Sequence, residues 1–139
     1  MNFRLIANTT SYVLWVEAGF LLLPLLVSVL CGEPWMPFFA TAVLCILIGF
    51  ILQLVPVKKA QMHSRDGFMA VALGWIALSL TGALPYVFSG ALNDYVDAIF
   101  ETVSGLTTTG STVFPEVEHL HRSVLLWRSL TQWMGGMGV

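Results

Sequence analysis

The sequence predicts an all-α integral membrane fold: two leading transmembrane helices, then one membrane–pore–membrane repeat with a re-entrant pore helix and filter loop, its final helix truncated. Three observations carry this. First, 57% of the 139 residues are hydrophobic and only 10% are charged, against about 25% charge in soluble domains; mean hydropathy is +0.82. Such a chain cannot cover itself with polar surface and must face lipid. Second, uncharged apolar runs of span length recur along it. Third, the stretch Glu101–Val113 is short and amphipathic and closes on Thr107, Thr108, Thr109 and Gly110. It is too polar for a span and too apolar for an ordinary loop. The net charge of -2 gives no footing for nucleic acid. Cys31 and Cys45 form no CxxC pair or metal pattern and read as small buried hydrophobes.

The first span runs from Tyr12 to about Leu30, near the ~20 residues a bilayer needs. Arg4 before an apolar run raises the question of a signal peptide, but the run is too long for a signal core and no A-x-A-like site follows it. Gly19 and Pro24 interrupt the span, as membrane helices tolerate when neighbours re-satisfy freed carbonyls. Glu17 lies near its start and is expected to reach the interface or a polar neighbour. Pro34 and Pro37 enforce a turn, with Trp35 suited to the interfacial belt. Phe38–Val55 is the second span. Lys58, Lys59 and Arg65 make one basic loop, which the positive-inside rule places in the cytoplasm together with Arg4 and the N-terminus. Ser64 or Asp66 can cap the third span, Gly67–Val87, which Pro85 kinks or ends. The first two spans thus occupy 1–56, and the segments around the short helix 57–139.

Asn93 or Asp94 can cap the next helix, Tyr95 to about Leu106, with Asp97 in its first turn complementing the dipole. Val96, Ile99, Phe100 and Val103 form one apolar stripe at helical spacing. At about 12 residues, or roughly 18 Å, this helix is too short to cross. Pro115 turns the return to the surface, and Ser123–Val139 begins an inward helix that has no polar flank at its end.

A cation entering a bilayer loses hydration worth tens of kcal/mol. Backbone carbonyls can replace that shell without fixed charge, but only from irregular backbone lining a cavity. Thr107–Gly110 suits this. β-Branched threonines favour extended backbone, their hydroxyls can brace it, and Gly110 permits positive φ. The preceding helix points the negative end of its dipole at the cavity. Asp94, Asp97, Glu116 and Glu118 can raise cation concentration outside. Alone, T-T-T-G is a weak signal, because polar residues and Gly also end ordinary helices.

Ser104-Gly-Leu-Thr-Thr-Thr-Gly-Ser-Thr-Val113 followed by Trp127-Arg-Ser-Leu-Thr-Gln-Trp-Met-Gly-Gly-Met-Gly-Val139 resembles the TrkH-type membrane subunits of the bacterial Trk/Ktr potassium uptake family. Ala83-Leu-Pro-Tyr86 and Arg65-Asp-Gly-Phe68 are similar too. The resemblance implies two leading helices and four membrane–pore–membrane repeats around one pore in the bacterial inner membrane. It implies potassium as transported ion with no other cofactor, and backbone ligands from Thr108, Thr109 and Gly110 with Thr107 adjacent. It also implies a cytosolic nucleotide-binding, TrkA-like regulatory subunit and homodimerisation. One such segment supplies about a quarter of a carbonyl ring, so the chain alone is not expected to conduct selectively.

Arg128 lies inside the last helix. Either it pairs with an acidic group or carbonyl and tunes the pore, or it snorkels outward. His119 and His121 have no third or fourth metal ligand. Gly135, Gly136 and Gly138 carry no phosphate-loop pattern and suit close helix packing. Trp127 and Trp133 are packing residues or interface anchors. Ser104, Glu101 and His119 lack a nucleophile-elbow context, so an enzyme is not expected. The competing reading is a non-conducting structural or anchoring subunit.

Overall fold

The computed structural model describes residues 3–54 and 64–138, and within them the chain is all-helical. Six helices follow in order: α1 Phe3–Cys31, α2 Met36–Gln53, α3 Ser64–Gly82, α4 Leu84–Phe88, α5 Tyr95–Leu106 and α6 Arg122–Gly136. By length and apolarity, three stretches can cross a membrane: Arg4–Cys31, Met36–Gln53 and Ser64–Phe88. The basic stretch around Lys58 and Lys59, and the far end of the second span at Val55, lie outside the described residues.

α1 begins at Phe3, well before the expected Tyr12. The polar residues before Tyr12 are absorbed by the helix itself. Thr9 and Thr10 donate to the carbonyls of Leu5 and Ile6, each at 3.0 Å, and Ser11 to that of Asn8 at 2.6 Å. Such back-bonding hides a hydroxyl without breaking the helix. Pro24 is carried inside α1 as well.

The third span is divided. α3 stops at Gly82, Ala83 intervenes, and α4 starts with Pro85 in its first turn, a position that needs no amide proton. Trp127 of α6 fills the space beside this break, fully buried, its Nε1 donating to the Gly82 carbonyl at 3.0 Å. That donation satisfies an oxygen that the interrupted helix leaves free. Trp127 is therefore a packing residue. Trp133 is 56% exposed and stacks edge-on against Phe20 at 5.8 Å between centroids. Cys45 is buried as expected, whereas Cys31 is exposed at the end of α1.

α5 and α6 run parallel. Glu101 meets Arg128, Gly105 packs on Thr131, and Leu106 packs on Gly135, so the pairs advance together along both helices. Two consecutive helices can run parallel only if the connection retraces the first one's length. Residues 107–121 do this. The start of α6 is fixed beside the α1–α2 turn, where Glu33 accepts from the amides of Arg122 at 2.8 Å and Ser123 at 3.0 Å and from the Ser123 hydroxyl at 2.7 Å. The Phe20–Trp133 contact sets the level of the other end. Phe20 lies near the middle of α1 and Trp133 just before Gly135, so α5 ends about halfway along the bundle.

Candidate functional site

α5 matches the expected bounds, Tyr95–Leu106, because both of its ends carry local instructions. Of the two candidate caps, Asp94 is the one used: its backbone is extended and its Oδ1 accepts from the Val96 amide at 2.9 Å. At the far end Thr109 N reaches the Ser104 carbonyl at 3.0 Å and Thr108 N that of Gly105 at 2.9 Å. This pair of bonds is the Schellman stop, which places one residue in the left-handed region. That residue is Thr108, with φ 57. A β-branched side chain in this conformation costs roughly 1–2 kcal/mol, and glycine would be the ordinary occupant. The glycine here comes two residues later, Gly110, with φ 77. Left-handed backbone at Thr108 and again at Gly110 allows neither helix nor strand to continue.

Thr107, Thr108, Thr109 and Gly110 are all exposed. Their hydroxyls act on the segment itself: Thr107 Oγ1 donates to the Val103 carbonyl at 2.8 Å and lies 2.8 Å from Thr109 Oγ1. Among the described residues, none of the four carbonyl oxygens of 107–110 accepts a hydrogen bond.

The apolar stripe of α5 faces the opposite way from the bundle. Val96 is 70% exposed and Phe100 49%, while Glu101, Thr102, Ser104 and Gly105 are buried. The polar side is inside because it has partners there. Glu101 accepts from Thr112 Oγ1 at 3.1 and 2.9 Å, from Val113 N at 3.1 Å and from Arg128 Nε. Arg128 therefore pairs with a buried carboxylate rather than snorkelling. Ser104 Oγ donates to the Ser111 carbonyl just past Gly110. Glu101 is the site residue that sequence reasoning missed. The available signal was a carboxylate in the middle of a 12-residue helix, one turn beyond the dipole-complementing Asp97 and with no terminus to serve.

The acidic residues Asp94, Asp97, Glu116 and Glu118 are exposed, at the start of α5 and on the return segment. Glu116 pairs with His119 at 2.9 Å. Of the two expected surroundings of Glu17, the polar neighbour is the one realised: the residue is buried within the bundle, its Oε2 2.6 Å from Thr81 Oγ1 and 3.8 Å from Cys45 Sγ. Glu33, in the α1–α2 turn, feels opposing influences. Burial raises its carboxyl, but the Ser123 hydroxyl, the Ser123 and Arg122 amides and nearby His121 outweigh it and hold the group below the usual carboxylate range.

The TrkH family, described as cation transport protein, matches residues 35–139. The chain belongs to the TrkH family. Trk system potassium uptake protein TrkH of Salmonella typhimurium is 37% identical over 142 residues, covering 100% of this chain and 29% of that protein. An uncharacterized cation transporter of Methanocaldococcus jannaschii is 38% identical over 121 residues, covering 86% of this chain and 25% of that protein. The crystal structure of the potassium transporter TrkH from Vibrio parahaemolyticus superposes with a TM-score of 0.92 at 34% identity, over 100% of this chain and 30% of that one. The chain thus spans about 29% of the length of the Salmonella TrkH protein it matches. It is a membrane protein of a transporter family, and its relatives are not enzymes.

Proposed function

We propose that the chain supplies one filter segment of a four-repeat potassium uptake pathway in the bacterial cytoplasmic membrane. Residues 1–56 form the leading helix pair and 57–139 the first repeat. In this reading α5 enters from outside and stops at mid-membrane. The carbonyl oxygens of Thr107, Thr108, Thr109 and Gly110 then face the ion, with Thr108 and Thr109 as its principal ligands. The single observation that carries this is a non-helical segment, halfway along a membrane bundle, whose carbonyls accept no hydrogen bond among the described residues. Unpartnered carbonyls are costly in lipid and survive where they line a cavity or meet a cation. Alternating backbone handedness is also a means of turning successive carbonyls to one side of a chain.

Asp94, Asp97, Glu116 and Glu118 lie on the entry side and concentrate cations there. The N-terminus is cytoplasmic. The TrkA-like nucleotide-binding subunit and the homodimer implied by the resemblance belong to the same proposal.

Gly110→Ser, made in a full-length transporter carrying these residues, tests the reading. At φ 77 a side chain is strained, by roughly 1–2 kcal/mol, so the filter geometry shifts. The expected result is loss of K⁺ over Na⁺ preference with normal membrane abundance. Unchanged preference would contradict the filter reading and favour an anchoring role.

A further inference from the structure

We infer that Glu101 and Arg128 form a brace behind the filter segment, acting as positioning residues that set its ion preference. This rests on the filter reading above. The Glu101 carboxylate joins three pieces of the chain: α5, the segment leaving the filter, and α6. On the leaving segment it holds consecutive residues, taking Thr112 Oγ1 on both oxygens and the Val113 amide at 3.1 Å. Thr112 Oγ1 in turn receives the Phe114 amide at 3.1 Å. From α6 the guanidinium of Arg128 closes the arrangement.

The segment is thereby held along its whole length by its amides and hydroxyls, while among the described residues the carbonyls of 107–110 accept no hydrogen bond. On the entering side the amides of Thr108, Thr109 and Gly110 are tied to the carbonyls of Gly105 and Ser104. On the leaving side Ser104 Oγ holds Ser111 and Glu101 holds the next two residues. A cavity of about 10 Å³ lies between Gly110 and the pair, bordered also by Gln132, which is room for about one water. Any relaxation of the brace passes directly to Gly110 and the carbonyls before it.

A stability role alone explains the pair poorly. Glu101 has 1% side-chain exposure and Arg128 27%, and burying such charges costs more than filling the same space with apolar side chains. What the ion pair supplies is fixed geometry: a directed acceptor for several donors and a planar donor held against it.

The experiment compares K⁺ and Na⁺ uptake, with membrane abundance measured in parallel, in a full-length transporter carrying these residues. The variants are Glu101→Gln, Arg128→Gln, the double substitution and Thr112→Val. The expected result is K⁺/Na⁺ preference reduced by about tenfold or more in each charge variant, the scale of a lost hydrogen bond to a charged group. The double variant should be no worse than either single, because the two side chains act as one unit. Thr112→Val removes a single hydroxyl and leaves the ion pair, and should lower preference by a smaller factor at full abundance. If the charge variants fail to reach the membrane, Thr112→Val decides, and retained preference there overturns the brace. Retained preference in an abundant Arg128→Gln protein overturns it directly. Gly110→Ser separates the two ideas: if it alters preference while the brace variants do not, only the brace fails, and if it too is silent the filter reading fails.

Discussion

Thr108 sits in a backbone conformation that suits glycine, while Gly135 is a glycine for a different reason. A Cβ at Gly135 would overlap the Leu106 carbonyl, so the end of α5 rests directly on the α6 backbone. Gly135→Ala should push α5 away from α6 and destabilise the folded protein by about 1–3 kcal/mol, the usual cost of overpacking. Thermal unfolding in detergent would register it, and an unchanged midpoint would show that the two backbones are not in contact. The sequence made close packing at the glycine cluster readable, but not which glycine carries it or what it touches. That depends on a helix distant in the chain. The same holds for Glu101 and Arg128. Each is visible as an unusual charge in an apolar context, yet nothing local states that they meet. Glu17 shows the complementary limit: interface and polar neighbour were both open from the sequence, and only packing between α1 and α3 selects Thr81.

Among elements, α5 was the most legible, because its signals are local: an aspartate cap, an acidic first turn and polar residues that end the helix. Its orientation was not. An apolar stripe at helical spacing normally faces the core, but here Val96 and Phe100 point away and the polar face is buried. In a membrane bundle the apolar side has no preference for the interior, and interior positions go to groups that need partners. The start of α6 likewise depends on a residue remote in sequence. Glu33 holds two of its first amides, and those hydrogen bonds keep its carboxyl below the usual range. A depressed folded value means the contribution is present above the unfolded carboxylate pKa and is lost as pH falls through the folded one. Glu33→Gln should therefore lower stability at neutral pH by about 1 kcal/mol, the typical worth of a cap. The difference from the unsubstituted protein should begin to shrink as pH falls below the ordinary glutamate value of about 4.3 and vanish only below the depressed folded value. A gap that persisted into acid would show that the charge on Glu33 plays no part.

At the scale of the whole molecule, three long helices support one short helix that stops at mid-bundle and a segment that returns. Composition was enough to read the membrane class, since 57% hydrophobic content comes with only 10% charge, against about 25% in soluble domains. The parallel course of α5 and α6 was implied by a re-entrant helix followed by an inward one, whereas the pairs that meet between them are seen only from contacts between distant residues. The central claim is that main-chain oxygens of Thr108 and Thr109, rather than carboxylates, hold the ion. Crystals of a full-length transporter carrying these residues, grown with thallium or rubidium in place of potassium, test it through anomalous scattering. The account predicts a peak in direct coordination with the carbonyls of Thr108 and Thr109. A site held instead by Asp94, Asp97, Glu116 or Glu118, with nothing at the threonines, would contradict it.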